Sequence, residues 1–206
     1  MKVAVVDYGM GNLRSVAKAI EYVGFKEVSV TSDPETVRRS EVLVFPGQGA
    51  FKKAMENLKK LSLISPILSH IDRGKPFLGI CLGLQLLFER SYEHGETEGL
   101  GVFEGEVILL PPRVKIPHIG WNQVWIKKER GLYSGIKDGD FFYFVHSYHV
   151  VPKDESVIAS TTDYEVYFVS AVEKENVWAV QFHPEKSQSK GLRLLENFKN
   201  YCEAVL

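Results

Sequence analysis

Apolar residues fall along this chain in two rhythms, and the change comes near its middle. In the first half, short runs that are apolar at nearly every position alternate with segments whose apolar residues recur every three or four positions. The short runs, at residues 2–7, 27–30, 42–45 and 77–80, read as strands. Between the first two, Leu13, Val16, Ala17 and Ile20 mark a helix that Asn12 can cap and Gly24 can end. Asp33 and Pro34 open a second, short helix, with proline at its first position. Residues 50–71 continue in helical pattern, with a break expected near Ser65 and Pro66. Strands that are apolar on both faces need cover on both sides, so this half predicts a parallel sheet between helices.

The second half is mostly strand-like with short turns, at residues 105–110, 123–127, 141–145, 157–161, 165–172 and 177–182. Short connections favour antiparallel pairing. Residues 187–204 close the chain as an amphipathic helix. The predicted class is therefore α/β: a mainly parallel central sheet flanked by helices, with antiparallel or mixed strands in the C-terminal half. Neither repeats nor low-complexity linkers interrupt it, so residues 1–206 are expected to form a single domain.

Composition narrows the class. At 206 residues, 45% hydrophobic and 25% charged, the chain has the make-up of an ordinary globular protein. A net charge of -1 gives no general attraction to nucleic acid or to an anionic membrane. No apolar run is long enough to span a bilayer, and the opening residues do not read as a secretion signal. Cys81 and Cys202 are the two cysteines and lack CxxC spacing, so neither a disulfide framework nor a metal site is expected, and no cofactor. A reducing, cytoplasmic compartment with Cys81 free follows as the expectation.

Cys81 stands between Gly79 and Gly83 where a predicted strand turns into a helix. This is the glycine-x-nucleophile-x-glycine form of a nucleophile elbow, with cysteine in place of serine. Small neighbours let the chain turn sharply and aim the side chain out of the carboxyl end of a parallel strand, where α/β sheets bind ligands. The N–H of Leu82 would then point at an anion formed there, and the helix dipole would favour thiolate. The competing reading is a structural cysteine, since free cysteine is among the most buried residue types.

A nucleophile needs a base, and the strand at 177–182 ends in His183-Pro184-Glu185. In extended backbone, residues two apart face the same way, so Glu185 can approach the His183 ring and set its tautomer. Cys81, His183 and Glu185 are thus candidate nucleophile, general base and orienting acid. Of the other histidines, His70 and His94 are expected to be solvated. His146 and His149 sit near a strand end.

Residues 79–88, GICLGLQLLF, together with 181–187, QFHPEKS, resemble the class I, triad-type glutamine amidotransferases. Within them, YGMGN at 8–12, PGQGAF at 46–51, EGLG at 98–101, HIGWN at 118–122 and FVHSY at 144–148 are similar to the glutaminase subunits of imidazole glycerol phosphate synthases. The resemblance runs from Lys2 to the final helix. It implies hydrolysis of L-glutamine to glutamate and ammonia, with an oxyanion held by the amides of Leu82 and the Gly47-Gln48-Gly49 loop. Gln48 stands where that family has valine. The resemblance further implies glutamine binding by Gly49, Gln85, Glu93, Ser147 and Tyr148. It implies a (β/α)8-barrel cyclase subunit as heterodimer partner in histidine biosynthesis, docking at Tyr8, Met10, Asn12, Trp121, Asn122 and Lys186, all at loop ends. Alternatives are the same chemistry serving another synthase, a stand-alone γ-glutamyl cysteine hydrolase, and a non-catalytic binding module.

Overall fold

The computed structural model describes residues 1–206. The first half runs β1 (Lys2–Val6), α1 (Leu13–Tyr22), β2 (Glu27–Thr31), α2 (Pro34–Arg39), β3 (Val42–Gly47), α3 (Phe51–Lys60), α4 (Ile64–Asp72) and β4 (Phe77–Cys81). Asn12 caps α1 by accepting the Ser15 N–H, and Asp33 caps α2 by accepting from Thr36 at 2.8 Å. The break between α3 and α4 falls at residues 61–63, with Ser62 at φ 56°, earlier than expected. Pro66 lies in the first turn of α4, where a backbone N–H has no partner within the helix, so it does not interrupt the helix.

The second half runs α5 (Leu82–Gln85), β5 (Phe88–Ser91), β6 (Thr97–Glu98), β7 (Phe103–Leu109), β8 (His118–Gln123), β9 (Trp125–Ile126) and β10 (Phe141–His146). After these come β11 (Tyr148–Pro152), β12 (Ile158–Asp163), β13 (Tyr167–Lys174), β14 (Val177–Val180) and α6 (Gln188–Val205). Eight strands form one sheet in the order β2-β1-β3-β4-β14-β13-β12-β9. The first five are parallel and the rest antiparallel, as the change in rhythm predicted. Two satellite sheets, β11-β7-β5-β6 and β10-β8, were not separately expected. No helix is long and apolar enough to cross a membrane.

The period of two along each central strand divides the core between the two sheet faces. Val3, Val5, Val42, Val44, Leu78 and Ile80 pack with α1 and α6 residues such as Ile20 and Phe198. Val6, Leu43, Phe45 and Phe77 pack on the other side with Leu58 and Ile67 of α3 and α4. The parallel strands end together at one edge, so the segments following β1, β3, β4 and β14 share one rim.

Candidate active site

At that rim β4 ends in Cys81 with φ 55° and ψ -108°, backbone that residues with a side chain seldom adopt. Strain of this kind persists only when the surroundings force it. Here a Cβ at position 83 would overlap the Phe45 carbonyl oxygen, so only glycine lets the turn close against β3. Gly47, the last residue of β3, pairs with Cys81 in register, and a Cβ on it would overlap the Tyr8 hydroxyl. The helix after the elbow, α5, is only one turn long. A dipole built from so few aligned peptides is small, so the expected helix-dipole support for a thiolate is largely absent.

Of the residues expected at the site, Gln48, Gly49, Cys81, Leu82, Gln85, Glu93, Ser147 and Tyr148 line one cavity of about 400 Å³. Ala50, Pro117, Val145 and His146 complete it. Gln85 donates its Nε2 to the Tyr148 carbonyl at 2.9 Å and to Gln181 Oε1 at 3.1 Å, which turns its own Oε1 elsewhere. Glu93 accepts the Phe51 N–H at 2.7 Å through Oε2, capping α3 from outside its own sequence. The Met10 methyl lies 2.7 Å from where a Cβ on Gly49 would stand, so the N-terminal turn packs directly on the loop at 47–49.

His183 follows β14, the strand hydrogen-bonded to β4, and its Nδ1 meets Glu185 Oε1 at 2.8 Å. Both side chains are almost wholly buried. Nε2 of His183 has no well-formed hydrogen bond and neighbours Cys81. Such bonds are often long or poorly aligned before substrate binds. Burial works against charge on this ring, but the adjacent Cys81 sulfur and then Glu185 outweigh it and push His183 up to about 10. The Cys81 Sγ–H faces the Val145 carbonyl at 3.6 Å.

Several expected placements are corrected. Tyr8 is fully buried, its ring tilted against Phe45 at 5.2 Å, so its side chain cannot dock a partner. Burial, with the Cys81 charge second, holds its hydroxyl well above the usual phenol range. Trp121 and Asn122 are not in a loop: they lie on β8, which pairs with β10 in the register Trp121↔Tyr143 and Asn122↔Phe142. The glycine at 120 hid that strand by breaking its apolar alternation. Trp121 is exposed, and Asn122 donates to the Asp163 carbonyl. Met10 and Lys186 are half-buried and Asn12 is exposed. His70, expected in solvent, is buried and bonds the Pro76 carbonyl at 3.0 Å, while His94 is exposed.

Two features escaped the sequence reading. His118 and His146 meet ring to ring at 2.9 Å, with His146 on the cavity wall. Gln181, fully buried, extends Nε2 to Cys81 Sγ at 3.6 Å. The signal for Gln181 was present, a lone amide in the otherwise apolar run at 177–182.

Residues 4–200 match the class-I glutamine amidotransferase family. The chain belongs to that family. It is 66% identical over 205 residues to the imidazole glycerol phosphate synthase subunit HisH of Aquifex aeolicus (strain VF5), covering 100% of this chain and 99% of that one. The HisH subunit of Pyrococcus furiosus (strain ATCC 43587 / DSM 3638 / JCM 8422 / Vc1) is 53% identical over 199 residues, covering 96% and 98%. Among solved structures, a glutamine amidotransferase aligns with TM-score 0.75 at 19% identity over 97% of this chain and all of that one. PurLQS from Thermotoga maritima aligns with TM-score 0.74 at 20% identity, covering 97% and 98%. At such identities these two establish the amidotransferase fold and nothing finer.

Proposed function

We propose that this amidotransferase is the glutaminase subunit of an imidazole glycerol phosphate synthase in histidine biosynthesis, hydrolysing L-glutamine with Cys81, His183 and Glu185. Likeness to HisH subunits along the whole chain supports the assignment to that synthase. One observation carries the chemistry. A carboxylate-bound imidazole leaves its second nitrogen unpaired beside Cys81, which lines a cavity large enough for an amino acid.

Cys81 thiolate attacks the side-chain carboxamide carbon of glutamine, and the carbonyl π electrons move onto oxygen. Backbone N–H groups of Leu82 and of the Gly47-Gln48-Gly49 loop hold that oxyanion, each donor contributing about 3–4 kcal/mol. The imidazolium form favoured at His183 gives its proton to the departing nitrogen, so the C–N bond breaks and ammonia leaves. His183 then takes a proton from water as it attacks the thioester, and the C–S bond breaks to release glutamate and the thiolate. Gln85 Oε1, turned from its two partners, accepts from the substrate, and Glu93, Gly49, Ser147 and Tyr148 complete its pocket.

Ammonia released into water would be protonated and lost, so a second site must receive it directly. That site is on a (β/α)8-barrel cyclase subunit, bound as a heterodimer at the face that carries Met10, Asn12, Trp121, Asn122 and Lys186. The whole chain acts as one domain. The compartment is the cytoplasm, in keeping with two free, buried cysteines.

The deciding experiment compares glutamine-dependent and ammonia-dependent synthesis in the reconstituted pair. Cys81→Ala is expected to lower the glutamine-dependent rate at least about 10³-fold while sparing the ammonia-dependent rate. Glutamine-dependent synthesis that survives the substitution would refute the nucleophile assignment.

A further inference from the structure

We infer that Gln181 is a donor built to hold the Cys81 sulfur in its anionic form, a role in the reaction beyond the Cys81, His183 and Glu185 set. This rests on Cys81 being the nucleophile. Tyr148 O can only accept, so the Gln85 amide must turn its nitrogen toward it, at 2.9 Å. The same NH₂ has a second hydrogen, and Gln181 Oε1 lies 3.1 Å away to receive it. With its oxygen committed, Gln181 has its own nitrogen facing Cys81 Sγ at 3.6 Å. The orientation of both amides is thereby set by a backbone group rather than by choice between look-alike atoms.

Position reinforces polarity. Gln181 has no solvent exposure, and its backbone N–H is tied to the Ser170 carbonyl at 2.9 Å. The side chain therefore has no water to bond instead. The second neighbour of the sulfur, the Val145 carbonyl at 3.6 Å, accepts from the thiol but repels the thiolate. With α5 a single turn, Gln181 is a fixed N–H donor that can offset that repulsion once the proton has gone to His183. Hydrogen bonds to ionised groups are roughly twice as strong as neutral ones, so this donor acts mainly on the anion, both before attack and when the thioester C–S bond breaks.

The test follows alkylation of the full-length chain by iodoacetamide against pH, read by mass spectrometry on the peptide that contains Cys81. Gln181→Met and Gln181→Glu keep the side-chain volume but remove the neutral N–H donor. In both, the half-maximal pH of alkylation is expected to rise by about one unit, with roughly tenfold slower alkylation below it. Folded variants with the unsubstituted profile would overturn the inference, since a merely structural glutamine changes melting but not this midpoint. A second measurement needs no change at 181. The side-chain amide resonance of Gln181 is expected to move as Cys81 ionises and to lose that step in Cys81→Ala. A resonance indifferent to Cys81 overturns the inference equally. Glutamine-dependent synthesis by Cys81→Ala in the reconstituted pair tests the nucleophile separately, so failure of one reading is not mistaken for failure of the other.

Discussion

Glu185 gives one oxygen to His183 and leaves the other, Oε2, buried with no partner. A buried carboxylate with an idle oxygen costs stability, and the arrangement makes sense where the charge is needed to hold an imidazolium. Glu185→Gln would keep the shape and lose the charge. Steady-state kinetics of glutamine hydrolysis in the complex should show kcat lower by about 10²–10⁴-fold, with KM little changed. The Tyr8 hydroxyl is also buried without a partner, lying over Gly47. Tyr8→Phe removes an unsatisfied group of this kind, so chemical denaturation is expected to show no loss of stability and a gain of up to about 1–3 kcal/mol. A clear loss would mean that the hydroxyl is bonded after all. At this scale, His183 and Glu185 were legible because they are two residues apart and backbone direction alone places them. The burial of Tyr8 was not, because what covers it comes from β3.

The elbow is a property of two elements held together. Gly83 is the second residue of α5, yet the atom that forbids a side chain there is the Phe45 carbonyl of the neighbouring strand β3. Gly83→Ala is therefore expected to destabilise by about 3 kcal/mol or more, as overpacking against backbone does, seen as a lower urea midpoint. Iodoacetamide should also lose its preference for Cys81 as the turn opens. Elements with strong local signals were legible in the sequence: α1 and α2 from their caps, and β1, β3 and β4 from their apolar runs. Satellite strands were not. β8 carries Gly120 and alternates poorly, and it is a strand because β10 supplies its hydrogen bonds along His118 to Gln123.

Across the whole molecule, buried histidines pull in opposite directions. Burial holds His70 and His118 down at about 4 and His146 at about 3, whereas the sulfur and carboxylate near His183 outweigh burial and hold it up at about 10. In an unfolded chain all would titrate near about 6.5. As pH falls from about 6.5 toward 4, the unfolded chain takes up protons that the folded histidines 70, 118 and 146 refuse, so stability is lost on the acid side. The His183 contribution is fully present below about 6.5 and is lost as pH rises toward about 10. Calorimetric melting should therefore peak near neutrality and fall on both sides, and Cys81→Ala, which removes the larger of the two raising causes, should flatten the alkaline limb. A Tm unchanged between pH 7 and pH 5 would contradict the buried, neutral histidines.

The sequence by itself determined the fold class, the elbow at Cys81 and the His-Pro-Glu segment, because each depends on backbone preferences and side-chain spacing over a few residues. Tertiary structure alone decided that Gln181, a hundred positions from Cys81, would reach its sulfur. It also decided that His118 and His146 would pair, and that the N-terminal turn would pack on the loop at 47–49. The physical reason lies in strand order. β4 and β14 are neighbours in the sheet although far apart in the chain, and apolar periodicity sets which face a strand buries but not which strand lies beside it.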